Sequence, residues 1–189
     1  GSGLRLADHR TTPAKLPWTS LLREWLQSSN SSGWDSPYNR VIASSTGLVA
    51  AGRRARSAGD IVLVIDTSGS VGQDTLNKFL AEAQLVMDEL KPERLHLLSV
   101  SHFVCEVVTL ETGDAVPLSL RGGGGTLFQP AFDWLEQEGI TPDCMVYLTD
   151  GLAGDRTEIT AKDYPLLWVS TLLEPHYYPV GEVIMVDDF

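Results

Sequence analysis

With 189 residues, 43% of them hydrophobic and 21% charged, the chain can bury one full core and has the balance of an ordinary soluble globular protein. A net charge of −11 argues against nucleic acid as a partner, because phosphate-backbone binders need clustered Lys and Arg to displace counterions. No apolar run approaches the roughly 20 residues that span a bilayer and the start does not resemble a signal peptide, so no membrane partner is expected and the sequence reads as cytoplasmic.

Gly1 to Gly3 read as an expression scar, which is compatible with an excised piece of a longer protein. Residues 4–59 read as an N-terminal extension packing on a domain of residues 60–189. In the extension, Pro17 opens a short amphipathic stretch in which Trp18, Leu21, Leu22, Trp25 and Leu26 recur at helical spacing. Ser28 to Arg40 is turn-rich, and Val41 to Ala51 is mildly apolar, which suggests a loop followed by a strand. Arg53, Arg54 and Arg56 read as a solvated loop rather than a binding patch.

The regular part begins at Asp60. Ile61 to Ile65 is an unbroken, β-branched apolar run that suits a parallel strand covered on both faces. From Gln73 to Leu90 the apolar positions Leu76, Phe79, Leu80, Ala83, Val86, Met87 and Leu90 follow the 3.6-residue period of a long amphipathic helix, which Pro92 ends. Leu95 to Val100 and Phe103 to Leu110 read as strands with almost no connection, so the second is expected to run antiparallel at the sheet edge. A Gly-rich loop, Gly122 to Gly125, leads into a helix from about Leu127 to Glu138. Strands are expected at Cys144 to Leu148, Leu166 to Val169 and Glu182 to Val186. The alternation predicts an α/β fold: a mostly parallel open sheet, helices on both faces and one antiparallel edge strand, Rossmann-like in class. In such sheets ligands bind beyond the carboxyl ends of the strands, where strand order reverses. Cys105 and Cys144 fall in separate strands, as free buried thiols do.

Asp66, Ser68 and Ser70 share one tight turn, D-T-S-G-S, at the end of the first strand. Gly69 gives that turn backbone freedom closed to other residues, so one carboxylate and two hydroxyls can face one point. A hard divalent cation takes oxygen ligands, and three hydroxyls with two carboxylates suit magnesium or manganese. Zinc would want His or Cys.

D-T-S-G-S at Asp66 to Ser70, G-G-T ending at Thr126 and T-D-G at Thr149 to Gly151 resemble, in this order, the metal-ion-dependent adhesion site of the von Willebrand factor A (VWA) family. The resemblance covers roughly Asp60 to Val186. It implies that Ser68, Ser70 and Thr126 supply hydroxyl ligands, that Asp66 and Asp150 act directly or through water, and that a partner's acidic side chain takes the sixth position. The stretches WTSLLREWL, GWDSPYNR and TPDCMVYLTDG are similar to bacterial VWA-like proteins with an upstream metallopeptidase-like domain, relatives that often work beside AAA-type ATPases of the MoxR kind. Bacterial relatives often place an Asp after the metal-site Thr and another at the end of the second strand, where this chain has Leu127 and Ser101.

Each site residue also has a purely structural reading. Ser70 with Gln73, and Thr126 with Gln129, both fit the helix capping box, while Asp66 and T-D-G suit turns. Co-occurrence of all three pieces in order favours the metal site. His102, Cys105 and Glu106 are not expected to share a ligand set, since strand residues three apart face opposite ways. The glycine loop lacks the Lys of a phosphate-binding loop, and Trp134, Tyr147 and Trp168 read as core or core-edge aromatics. The leading expectation is a non-enzymatic, metal-dependent protein-interaction module using Mg2+ or Mn2+. The alternatives are a phosphotransferase using Asp66, a metallopeptidase, or a structural domain with a vestigial site. A phosphotransferase would want a second Asp and a basic residue in the turn, and the chain has no H-E-x-x-H.

Overall fold

The computed structural model describes residues 59–171 and 177–185. The amphipathic stretch at Trp18 to Leu26, the loop and strand expected over residues 28–51, and the Arg53 to Arg56 cluster lie outside the described residues.

Strand β1 (Asp60–Asp66) is followed by α1 (Gln73–Leu90), β2 (Arg94–Val100), β3 (Val104–Glu111), α2 (Gln129–Glu138), β4 (Cys144–Thr149), a short 3-10 turn (Arg156–Glu158), β5 (Leu166–Ser170) and β6 (Glu182–Met185). The six strands form one sheet in the order β3-β2-β1-β4-β5-β6. Every neighbouring pair is parallel except β2 and β3, which are antiparallel at the edge. The predicted fold class is the observed one. The second helix starts at Gln129 rather than Leu127, whose N–H donates to the Ser101 carbonyl.

Side chains of a strand alternate between faces, and β1 shows this directly. Ile61, Leu63 and Ile65 pack with Leu76, Phe79, Leu80, Ala83 and Met87 of α1. Val62 and Val64 pack with Phe128, Ala131, Phe132 and Leu135 on the side of α2. The second layer is aromatic: Tyr147 stacks on Trp168 at 5.0 Å, and Phe128 meets both rings at 4.9 and 4.8 Å. The Trp168 indole stays satisfied by donating to the Val180 carbonyl at 2.8 Å.

From β1 the chain runs outward through β2 and β3, then returns to the other side of β1 through β4, β5 and β6. Strand order therefore reverses at the β1–β4 pair, and the crevice belongs at their carboxyl ends. Asp66 ends β1 and Thr149 ends β4.

At the opposite end of the sheet, Arg94 grips the Asp60 carboxylate with two hydrogen bonds of 2.8 and 2.6 Å. His96 is buried beside them, its Nε2 3.9 Å from Asp60 and its Nδ1 3.0 Å from the Thr109 hydroxyl. Burial lowers the His96 pKa and outweighs the pull of Asp60, whose charge Arg94 already offsets. The native protein thus refuses a proton that the unfolded chain accepts. His96's contribution is fully present above the ordinary imidazole range and is lost as pH falls through it. Denaturant unfolding across about pH 5 to 8 is expected to show stability declining toward acid, and His96→Gln is expected to flatten that decline.

Candidate metal site

The end of β1 is made rigid before any ligand is considered. The Thr67 N–H and hydroxyl both donate to the Val100 carbonyl of β2, at 2.9 and 3.2 Å. Gly69 donates to the Gly124 carbonyl at 2.9 Å, which seats the glycine loop on the D-T-S-G-S turn. The fit needs glycine: a Cβ at Gly122 would fall 2.2 Å from Thr67, and Gly123 and Gly124 have φ of +125° and +108°, a region that L side chains rarely adopt.

Within this frame the Asp66 carboxylate is fully buried. Its Oδ1 accepts from the Ser68 N–H at 2.9 Å and lies 3.5 Å from the Thr126 hydroxyl. Its Oδ2 accepts from the Thr149 hydroxyl at 2.7 Å, and Thr149 in turn accepts from the Gly151 N–H at 2.9 Å. Burial raises the Asp66 pKa above the usual carboxylate value; the Thr149 and Ser68 hydrogen bonds oppose the rise, and the charge of Asp150 adds to it. A carboxyl held in that state is satisfied by a proton or by a cation.

Ser68 and Ser70 hold their hydroxyl oxygens 3.0 Å apart. Neighbouring ligands of an octahedral ion bound at about 2.0–2.1 Å lie about 2.9 Å apart, so the pair fits one edge of a magnesium shell. Asp150 sits at the rim, one oxygen accepting from the Leu152 N–H at 2.9 Å. The structure therefore draws Asp66, Ser68, Ser70 and Thr126 together, with Asp150 close enough for its charge to reach Asp66. Among the described residues no group of three or more His, Cys, Asp or Glu could hold a metal ion.

The capping-box readings of Ser70 and Thr126 are corrected by the structure. The residue before α1 is Gly72, that before α2 is Phe128, and neither helix is capped by its own leading side chain. The start of α2 is instead capped from the loop after β4: Asp155 accepts from the N–H groups of Phe128 and Gln129 at 2.8 and 2.7 Å. The same loop bonds back to the metal-site threonine, Gly154 N–H to the Thr126 carbonyl at 3.3 Å. Both hydroxyls are thereby spared capping duty.

Residues 61–187 match the family described as VWA-like domain (DUF2201), more than half of the chain. This chain belongs to that family. An uncharacterized protein of Thermotoga maritima is 34% identical over 91 residues, 48% of this chain and 22% of the relative. Among solved structures, the ArnB paralog VWA2 of Sulfolobus acidocaldarius is similar at 20% identity and a TM-score of 0.49, over 60% of this chain and 35% of that one. An aerotolerance-related membrane protein of Bacteroides fragilis is similar at 16% identity and a TM-score of 0.45, over 59% and 66%. The chain thus spans about a fifth of the Thermotoga relative and about a third of the Sulfolobus one.

Two residues of this VWA-like domain that matter to the site escaped the sequence reading. Thr149 was visible only as part of a turn motif, although its hydroxyl orients Asp66. Asp155 caps a helix that begins 26 residues earlier in the chain, a relation that local spacing does not reveal. Of the two departures, Ser101 is fully buried and pairs with the Cys105 thiol at 3.2 Å, and Leu127 lies against Gly154. His102 and Glu106 go elsewhere, His102 accepting from the Gly125 N–H at 3.2 Å and Glu106 from the Arg121 N–H at 2.7 Å. Urea unfolding in EDTA tests the division between caps and free hydroxyls. Asp155→Ala is expected to lose about 2 kcal/mol, the upper range for a helix cap, whereas Ser70→Ala and Thr126→Ala should each stay within about 0.5 kcal/mol.

Proposed function

We propose that this VWA-like domain is a cytoplasmic, metal-dependent protein-interaction module, in which Asp66, Ser68, Ser70, Thr126 and Asp150 hold Mg2+ or Mn2+ and a partner protein supplies an Asp or Glu. The observation that carries the reading is the buried Asp66 carboxylate beside a pair of hydroxyls that cap nothing and stand one octahedral edge apart. The ion would supply Lewis acidity that anchors an anionic oxygen. The protein's part is positional: Thr149 and the Ser68 N–H aim the Asp66 carboxylate, and the glycine loop brings Thr126 to it.

Binding is favoured over catalysis because the D-T-S-G-S turn carries no basic residue that would hold a phosphoryl group and no second Asp that would act beside Asp66. By resemblance, the native protein would carry a metallopeptidase-like domain upstream and work beside a MoxR-type ATPase, as bacterial VWA-like proteins do. Because Ser101 and Leu127 add no carboxylate, the first shell stays close to neutral and metal affinity should be modest.

Magnesium at ten times its Kd is expected to add about 1.4 kcal/mol, roughly 3–6 °C of melting temperature. Asp66's own contribution to metal-free stability, read as the difference between wild type and Asp66→Asn, should fall as pH rises above the ordinary Asp range. Its raised pKa lets the native carboxyl hold a proton that the unfolded chain releases sooner, while His96 acts in the opposite sense. The metal removes that penalty, so its effect should grow with pH. In scanning fluorimetry Asp66→Asn should melt above the metal-free wild type at neutral pH and show no response to magnesium. An equal response in the two proteins would reject the site. Partner capture from a host lysate should likewise be lost with EDTA and with Thr126→Ala.

A further inference from the structure

The two sides of the sheet are not covered alike. On the α2 side, Tyr178 lies on Trp168 at 5.0 Å and its hydroxyl donates to Ser170 at 2.8 Å, so the aromatic layer reaches β5. On the α1 side, strand register lines up a continuous apolar surface: Leu167 pairs with Val146, and Val169 lies between Leu148 and Ile184. Leu148, Leu167 and Val169 are fully buried, and Ile184 is half-buried. Among the described residues, the side chains packed there from outside the strands belong to α1, to Val71 just before it, and to Val116 and Leu120 in the loop after β3. That loop lies toward β2 and β3, because Arg121 donates its N–H to Glu106 and accepts from the Ser99 hydroxyl. The helix itself packs on β1. An α-helix is about 10–12 Å across and strands lie about 4.8 Å apart, so α1 reaches β4 and leaves β5, about 10 Å from β1, to another cover.

Topology says where that cover comes from. Connections between parallel strands are right-handed. The chain steps from β4 to β5 to β6 in the direction opposite to its step from β1 to β2, so these later connections belong on the α2 side and not beside α1. Residues 186–189 are only V-D-D-F. The 58 residues before Gly59 remain, and they contain the apolar set Trp18, Leu21, Leu22, Trp25 and Leu26 at helical spacing. Charge favours their return to the domain. Residues 1–58 carry eight Lys and Arg against three Asp and Glu, a net of +5, whereas residues 59–189 carry six against twenty-two, a net of −16. Opposite charges of that size attract. The chain also enters on the flank in question, because the Gly59 N–H donates to the Asp143 carboxylate, just before β4, at 2.7 Å.

We infer that the segment from Trp18 to Leu26 docks beside α1 on the sheet face formed by Leu148, Leu167, Val169 and Ile184, with its Trp and Leu side chains against the strands. The core of the domain then includes an element well upstream of residue 61, where the family match begins. This inference is independent of the metal reading.

Nuclear Overhauser spectra of the whole chain, with Leu, Val and Ile methyl groups labelled, test it directly. The indole rings of Trp18 and Trp25 are expected to contact the Leu167, Val169 and Ile184 methyls and to miss Val62, Val64 and Leu98 on the α2 side. In a mixture of labelled and unlabelled chains, no such contact should pass between chains. Leu22→Ser with Trp25→Ser should lower the melting temperature by roughly 5–10 °C, the scale of truncating buried apolar side chains in a chain of this size. Indole contacts to the α2 side, or Leu167, Val169 and Ile184 methyls that meet neither ring, overturn the inference. So do contacts between chains, which would give the face to a second copy, and a double variant that melts with the wild type. Should the double variant fail to fold, the wild-type contacts decide alone.

Discussion

A carboxylate placed where water cannot reach it organises this end of the molecule. Asp66 closes the most central strand pair, and its Oδ2 is held across that pair by the Thr149 hydroxyl at 2.7 Å. The contact therefore links β1 to β4 at the point where strand order reverses. The Gly124 carbonyl accepts from Gly69, Gly122 has no room for a side chain against Thr67, and Ser68 folds back on Asp66, so the turn and the glycine loop are built around one another. Moving the carboxylate would disturb three segments far apart in sequence.

That arrangement has an unfavourable side. Burial and the nearby charge of Asp150 raise the Asp66 pKa, and the hydrogen bonds from Thr149 and Ser68 only oppose the rise. Burial, with the charges of Asp66 and Asp155 adding to it, pushes the pKa of the Tyr147 hydroxyl well up, and that hydroxyl has no hydrogen-bond partner among the described residues. A core chosen for stability alone would hold an apolar residue at position 66. Unfavourable electrostatics at the carboxyl ends of the strands, where an α/β sheet takes its ligands, is what the proposed site would need.

Much of this was legible in the sequence because its signals are local. The β-branched run of β1, the 3.6-residue period of α1 and the near-absence of a connection between β2 and β3 each report one element, and their alternation reports the sheet. The candidate site residues could be picked out because the turn, the glycine loop and T-D-G each mark a strand end or a helix start. What stayed hidden depends on pairings across the fold. Ser70 and Thr126 satisfy the capping pattern in sequence, yet Gly72 stands before α1, and α2 takes its cap from Asp155 in a loop that only the β1–β4 pairing brings near. Thr149 looked like turn chemistry for the same reason: its partner lies 83 residues earlier.

The substitution of helix caps bears on what the site can do. In a helix capped by its own leading hydroxyl, that oxygen accepts from backbone N–H groups, and its lone pairs are already engaged. With Asp155 serving α2, the Thr126 hydroxyl does not cap that helix, and it lies 3.5 Å from Asp66 Oδ1. A separation of that length is a weak hydrogen bond between two oxygens and exceeds the octahedral edge of about 2.9 Å, so a shared cation would have to draw the two closer. Asp155 also puts its carboxylate where the α2 N-terminus favours negative charge. Capping of α2 thus falls to Asp155, and the Ser68 and Ser70 hydroxyls after β1 and the Thr126 hydroxyl before α2 are left for the cation, and for the partner carboxylate beyond it, that the proposed function would place there.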